Sequence, residues 1–246
     1  MKKIQITIYL IFTCCLLFFW EYAAQNNIVR VLISSPSLIM AYFAENYVAL
    51  SESTWVTFYE AFLGLLIATV FSFGTMIICF YFPKFMEFIL PVMVVSQVIP
   101  LITLAPLFII LFGAGATAKI FMAVLLCFFP IFVNFSNGVK LINKNIHELM
   151  YIYNANTQQK IVHVYFPLAM PSIMTGLKVS STLAVIGAIV AEFNGAEIGL
   201  GKNLFLAAKR LEPELMMCSL VLSALLGGLM YVLIYGVEKK IGKWYL

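Results

Sequence analysis

Apolar runs of about 20 residues constrain this chain more than any other feature. A helix needs about 20 mostly apolar residues to cross the hydrocarbon layer of a bilayer. Six candidates fall at roughly 5–22, 56–80, 88–112, 118–138, 168–191 and 216–237. Of the 246 residues, 63% are hydrophobic and 11% are charged. A soluble domain is about 45–50% apolar and about 25% charged. The composition therefore excludes a soluble globular domain, and it excludes disorder too. The fold class is all-α: a polytopic membrane protein with about six spans.

The first run follows Lys2 and Lys3 and ends in Phe18-Phe19-Trp20-Glu21-Tyr22. That bulky end does not suit signal-peptide cleavage, so an uncleaved anchor is expected, with a cleaved signal as the alternative. Residues 23–55 are more polar. Ser37 is expected to cap a short amphipathic helix over 38–49 near the membrane surface, an ordinary loop being the other reading. The organisation is then an N-terminal anchor and external segment (1–55), a transmembrane domain (56–237) and a short tail (238–246). Cys14, Cys15, Cys79, Cys127 and Cys218 lie in apolar runs without CxxC spacing, which predicts small buried hydrophobes and neither a disulfide nor a metal site.

Basic residues orient the chain, since cytoplasmic loops carry the excess of Lys and Arg. With both termini inside, the inner side holds Lys2, Lys3, Lys84, Lys140, Lys144, Lys160, Lys178, Lys239, Lys240 and Lys243. The outer side holds Arg30, Lys119, Lys202, Lys209 and Arg210. The loop between the fourth and fifth spans, about 140–167, is then cytoplasmic.

That loop is long and patterned. Ile142, Ile146, Leu149, Met150 and Tyr153 recur at helical spacing, giving a helix with one apolar stripe. Asn154 suits the left-handed turn that stops a helix. Asn156 can cap a second short helix, with Gln159 as capping-box partner. Pro167 marks the next boundary. A plain connection is one reading, but helix connections usually take two to eight residues. An apolar stripe with no lipid to face asks for a protein partner.

Polar residues and prolines punctuate the spans. Gln97, Pro100, Thr103 and Pro106 fall inside the third, where the prolines kink or break the helix. Such breaks survive at membrane depth only when packed in protein or lining a cavity. The third span is thus a candidate lining of a translocation path, with Gln97, Pro100, Thr103, Asn134 and Ser181 as its residues. Interhelical hydrogen bonding is the competing role. Gly176, Ser180, Ser181, Thr182 and Gly187 give the fifth span a small face for close packing. Glu192 is expected to be a half-solvated surface charge at its outer end, and Lys178 to snorkel toward the cytoplasm. "GLGK" at 199–202 lacks the glycine six residues before the lysine and the following Ser or Thr of a phosphate loop. No acid–base pair, nucleophile elbow or metal cluster is visible. The chain is read as no enzyme, with no cofactor or metal of its own.

The loop resembles the coupling loop of ABC-importer inner-membrane permeases. Their pattern is Glu-Ala-Ala, three residues, Gly, nine residues, Ile, one residue, Leu-Pro. Glu148, Leu149 and Met150 fall on the first three, Asn154 on the glycine, Val164 on the isoleucine, and Phe166-Pro167 on Leu-Pro. The spacing is kept, while the alanines and the glycine are lost. "SPSLIMAYF" at 35–43, "SQVIPLITLAPLFIILFGAGATAKI" at 96–120, "FFPIFVNFSNGV" at 128–139 and "GLKVSSTLAVIGAIVAEFNGAEIGLG" at 176–201 are similar to the nitrate/sulfonate/taurine-type members.

The resemblance implies a homodimeric permease of the bacterial inner membrane, working by alternating access. It implies a cytoplasmic ABC ATPase dimer that uses ATP and an extracytoplasmic solute-binding protein; nucleic acid has no place in it. Glu148, Leu149, Met150, Asn154, Ala155, Asn156, Thr157, Lys160 and Pro167 would form the ATPase-coupling loop. Wording in several segments looks most like the branch importing pyrimidine precursors of thiamine or heterocycles such as riboflavin; nitrate, sulfonates and taurine stay open. The rivals are a membrane-embedded enzyme and an ion-driven secondary transporter. The second would usually show internal repeats and buried ionisable groups at mid-membrane, and neither is visible.

Overall fold

The computed structural model describes residues 14–16, 18–24 and 34–242. The described residues form helices and no strand. Most of the first apolar run, 5–22, lies outside the described residues, and the part within them is helical.

Helix α1 spans Pro36–Glu45 and is capped by Ser35, whose side chain accepts from the Leu38 N–H at 3.4 Å. Ser37, the expected cap, instead binds Glu21 through both its hydroxyl, at 2.6 Å, and its N–H, at 3.0 Å. Proline at the first helical position explains the shift, because Pro36 fits there without needing an N–H. The helix expected over 38–49 also stops early. Asn46 leaves the helical region, and residues from Tyr47 onward belong to α2, Tyr47–Tyr81.

Four helices are long and apolar enough to cross a membrane: α2, α5 (Ala116–Lys140), the continuous stretch Thr157–Phe193, and α10 (Pro213–Ile241). They contain the expected spans 56–80, 118–138, 168–191 and 216–237. The expected third span is two helices, α3 (Pro83–Val98) and α4 (Leu101–Phe112), separated by an extended step at Ile99 and Pro100. Only Pro100 breaks the run. Pro91 and Pro106 stay within helices.

The fifth span begins earlier than its hydropathy implied. A short turn, α7 (Thr157–Lys160), passes into a π-helical segment, Ile161–Tyr165, and directly into α8 (Phe166–Phe193). The boundary at Pro167 is therefore one between π-helix and α-helix, not between loop and helix. It sits at the start of α8, where the preceding turn has already widened to i→i+5 bonding. Helices α6 (Lys144–Ile152) and α9 (Leu200–Arg210) complete the described chain.

The core is the packing of α5 against α8, flanked by α2 and α10. Lipid supplies no hydrophobic drive between helices, so close packing by small residues must hold them. At Gly187 an added Cβ would lie 2.8 Å from the Ala123 Cα, and at Gly176 it would lie 3.0 Å from the Pro130 carbonyl oxygen. Two reciprocal bonds stitch the same seam. Ser180 Oγ donates to the Cys127 carbonyl at 3.0 Å, and Cys127 Sγ donates to the Ser180 carbonyl at 3.1 Å. Ala61, Leu65, Ile131, Ala184, Ala188 and Met230 fill one half of the core. Phe132, Phe135, Met170 and Ile173 fill the other half with Met76 and Met93. Lys178 pairs with Glu238 of α10 at 2.8 Å. Cys79, Cys127 and Cys218 are buried, but Cys14 and Cys15 are exposed, against expectation. They precede the packed helices and face no core.

These contacts make a direct test. Gly187→Val should force α5 and α8 apart and lower the stability of the detergent-solubilised chain by about 1–3 kcal/mol. Gly74→Ala, at a position with nothing within 4 Å, should cause no loss. Thermal unfolding followed by size-exclusion chromatography distinguishes the two.

Candidate functional site

Two polar constellations lie at opposite ends of the core. The first is the turn between α6 and α7. Asn143 caps α6, accepting from the Asn145 N–H at 3.0 Å. The helix ends in a full Schellman turn: the Asn154 N–H donates to the Tyr151 carbonyl and the Ala155 N–H to the Met150 carbonyl, each at 3.0 Å. Asn154 carries the left-handed backbone, with φ 49°. Asn156 then opens α7 with a complete capping box. Its side chain accepts from the Gln159 N–H at 2.8 Å, and Gln159 Oε1 accepts from the Asn156 N–H at 2.9 Å. Every step of this turn is satisfied by residues within six positions, so it is built before any tertiary contact forms.

The expected single stripe on α6 is two faces. Ile142, Ile146 and Met150 turn toward the protein, while Leu149 and Tyr153 are exposed together with Tyr151 and Ile152. Glu148, Asn154, Asn156 and Thr157 are exposed and Ala155 and Lys160 half-buried, as is Pro167 at the start of α8. Neither Glu148 nor Lys160 forms an ion pair among the described residues. The element is anchored by Tyr165, which stacks on Phe80 of α2 with ring centroids 5.0 Å apart and reaches His147 Nδ1 at 3.5 Å.

The second constellation joins α2, α5, α8 and α9. Glu192 is not a surface charge. It is fully buried, and it accepts from Thr57 Oγ1 and from the Gly201 N–H, each at 2.6 Å. Thr57 Oγ1 in turn accepts from the Leu200 N–H at 2.9 Å. Beside them Glu60, 1% exposed, pairs with Lys119 at 3.2 Å. Its other oxygen has no hydrogen-bond partner among the described residues. Lys119, counted above with the outer loops, is thus a buried countercharge. Buried charge survives only when paired and hydrogen-bonded. Here a lysine, a hydroxyl and a helix N-terminus supply the partners.

The candidate path residues separate. Gln97, Pro100 and Thr103 are exposed at the break between α3 and α4, with Thr103 Oγ1 donating to the Pro100 carbonyl at 2.6 Å. Asn134 and Ser181 lie in the helix packing instead. Asn134 donates to the Pro130 carbonyl at 2.8 Å, and buried Ser181 donates to the Lys178 carbonyl at 2.7 Å. Sequence reading passed over Glu60, Thr57 and Lys119. The signal was present: Glu60 is a carboxylate inside an apolar span, which by itself asks for a partner.

The described residues thus form a helical core with four membrane-length helices and a helix–turn–helix at one end. Residues 79–243 match the family described as binding-protein-dependent transport system inner membrane component, and the chain belongs to that family. It is a multi-pass inner-membrane transport permease. The formylaminopyrimidine transport permease protein ThiX of Halalkalibacterium halodurans is 36% identical over 196 residues, covering 78% of this chain and 77% of that one. The riboflavin transport system permease protein RibX of Chloroflexus aurantiacus is 36% identical over 154 residues, covering 63% and 58%. The taurine transport system permease protein TauC of Escherichia coli is 24% identical over 155 residues, covering 63% and 56%.

The Asn154 turn yields its own prediction. Asn154→Gly should keep the turn, whereas Asn154→Val should cost roughly 1–2 kcal/mol in the left-handed conformation. Hydrogen exchange at the Ala155 amide reads this directly, speeding up in the valine variant only.

Proposed function

We propose that this chain is the membrane subunit of an ATP-driven importer, with the turn at Asn154–Thr157 as its coupling element. Two copies form the path, and a separate ABC ATPase dimer docks on the coupling turns from the cytoplasm. A solute-binding protein delivers substrate to the outer face. Both termini lie in the cytoplasm on this reading. The carrying observation is the α6–α7 turn: a locally rigid, capped structure that presents Leu149, Ile152 and Tyr153 to solvent at the end of the core. Exposed apolar side chains on a preformed turn suit a protein groove. Gln97, Pro100 and Thr103 then line the path, because polar groups beside a helix break need water or protein rather than lipid. Asn134 and Ser181 bond carbonyls of their own helices, in the packing behind it.

The solute is a small heterocycle of the formylaminopyrimidine or riboflavin kind. The similarity to ThiX across most of both chains supports this, against a weaker likeness to the taurine permease.

Co-expression with the cognate ATPase subunit and affinity purification tests the coupling element. The parent chain should retain the ATPase, and Leu149→Asp with Tyr153→Asp should lose it while eluting as a folded membrane protein. A parent chain that purifies alone under every nucleotide condition would overturn the reading. Uptake of labelled formylaminopyrimidine, riboflavin and taurine by the complete transporter decides the solute. Taurine uptake alone would move the chain to the sulfonate group.

A further inference from the structure

The cluster at the Glu192 end holds two carboxyl groups and one cation. Glu60, Lys119 and Glu192 are all buried, so water does little to screen their charges. Glu192 is the better supplied of the two carboxyl groups. It accepts from Thr57 Oγ1 and from the Gly201 N–H at the N-terminus of α9, where a negative charge is favoured. Glu60 has less. One of its oxygens meets Lys119 at 3.2 Å, and the other, Oε2, has no donor among the described residues. The Glu60 and Glu192 side chains lie within hydrogen-bonding reach of each other, and Lys119 is the cation beside both. Helix α9 faces the cluster with backbone N–H groups. Two ionised carboxylates cannot bond to each other, since neither has a hydrogen to donate. One lysine also leaves two carboxylates with a net negative charge, which is costly in a buried site. A single proton removes both faults. It makes Glu60 a donor, and it leaves one carboxylate for one ammonium.

We propose that Glu60 and Glu192 bind one proton between them, carried on Glu60, and that this carboxyl–carboxylate bridge, balanced by Lys119, ties α2 to α8 within the membrane domain. The bridge is independent of what the chain transports. The number of protons follows the charges. The cluster keeps as many as it has carboxyl groups in excess of lysines, because like charges in one dry site cannot all stay ionised. Lys119 remains an ammonium, since the Glu192 carboxylate balances it.

Infrared spectroscopy of the full chain, at neutral pH in a detergent without carbonyl groups, counts these protons. The parent should show the carbonyl stretch of one neutral carboxylic acid. Glu60→Gln should lose it. Glu192→Gln should lose it too, because the remaining carboxyl group then balances Lys119. Adding Lys119→Met to Glu192→Gln should bring the stretch back, now on an unbalanced Glu60. Thermal unfolding gives a second readout. Glutamine resembles protonated Glu60, keeping a donor for Glu192 and an acceptor for Lys119, so Glu60→Gln should move the midpoint by less than about 3 °C. Were Glu60 ionised, the same change would break a buried ion pair and lower the midpoint by roughly 10 °C. Such a drop would overturn the proposal, as would a parent without the stretch or a Glu192→Gln variant that retains it. Should Glu192→Gln not fold, the parent and Glu60→Gln spectra decide by themselves.

Discussion

The contact of α5 with α8 governs this molecule. In water that seam would be one contribution among many; in lipid it carries most of the burden, because apolar surface gains little by leaving hydrocarbon tails. Gly176 and Gly187 let the two backbones meet, and the Ser180–Cys127 exchange satisfies polar groups that lipid could not. Helices α2 and α10 lie against this pair through small or flexible residues, Ala61 and Met230 among them. With the seam in place, α8 becomes a fixed rod, and what sits at its two ends is placed by it.

The run Thr157–Phe193 is 37 residues, which is about 55 Å of helix and well beyond a hydrocarbon thickness of about 30 Å. One end emerges as the capped turn at Asn154–Asn156, and the other buries Glu192 against α2 and α9. The third span stands apart. It is broken at Pro100, and α4 exposes Ile102, Leu107, Ile110 and Leu111. Its exposed residues are those that a second copy, lipid or a watered path must cover, so the rigid and the adaptable parts of the membrane domain are different segments of sequence.

Local features were legible and tertiary ones were not. The Asn154 turn and the Asn156–Gln159 box follow from neighbours a few residues apart, so residue type and spacing reveal them. The four long helices follow from hydropathy, and the break at Pro100 from proline chemistry. Helix α6 was harder: spacing found the apolar residues but could not divide Ile142, Ile146 and Met150 from Leu149 and Tyr153, because that needs to know where the rest of the protein lies. The start of the fifth span was missed because the short helix expected after Asn156 was taken to be separate from the span at Pro167, whereas helical turns run on continuously through it. Glu192 misled for a related reason. A carboxylate at a helix end is usually solvated, and only the return of residues 199–201 encloses it. Glu60 in an apolar run was the stronger clue, and its partner, Lys119, lies 59 positions away in sequence.

The two ends of α8 therefore differ in what holds them. At the α6–α7 end every bond of the turn is local, so the element keeps its shape even when its surroundings move. At the Glu192 end the bonds run between α2, α5, α8 and α9, so the shape exists only while those helices keep their relative positions. A displacement along this rod would be absorbed first where the helix is irregular, at the π-helical residues 161–165 and at Pro171. Any larger displacement must either carry the Glu192 cluster along as one unit or break the bonds of Glu192 to Thr57 and Gly201. The first is the cheaper course, since parting them would leave a buried carboxylate without donors. The cluster therefore ties α2, α5, α8 and α9 into one unit, and the break between α3 and α4 at Pro100 lies outside it.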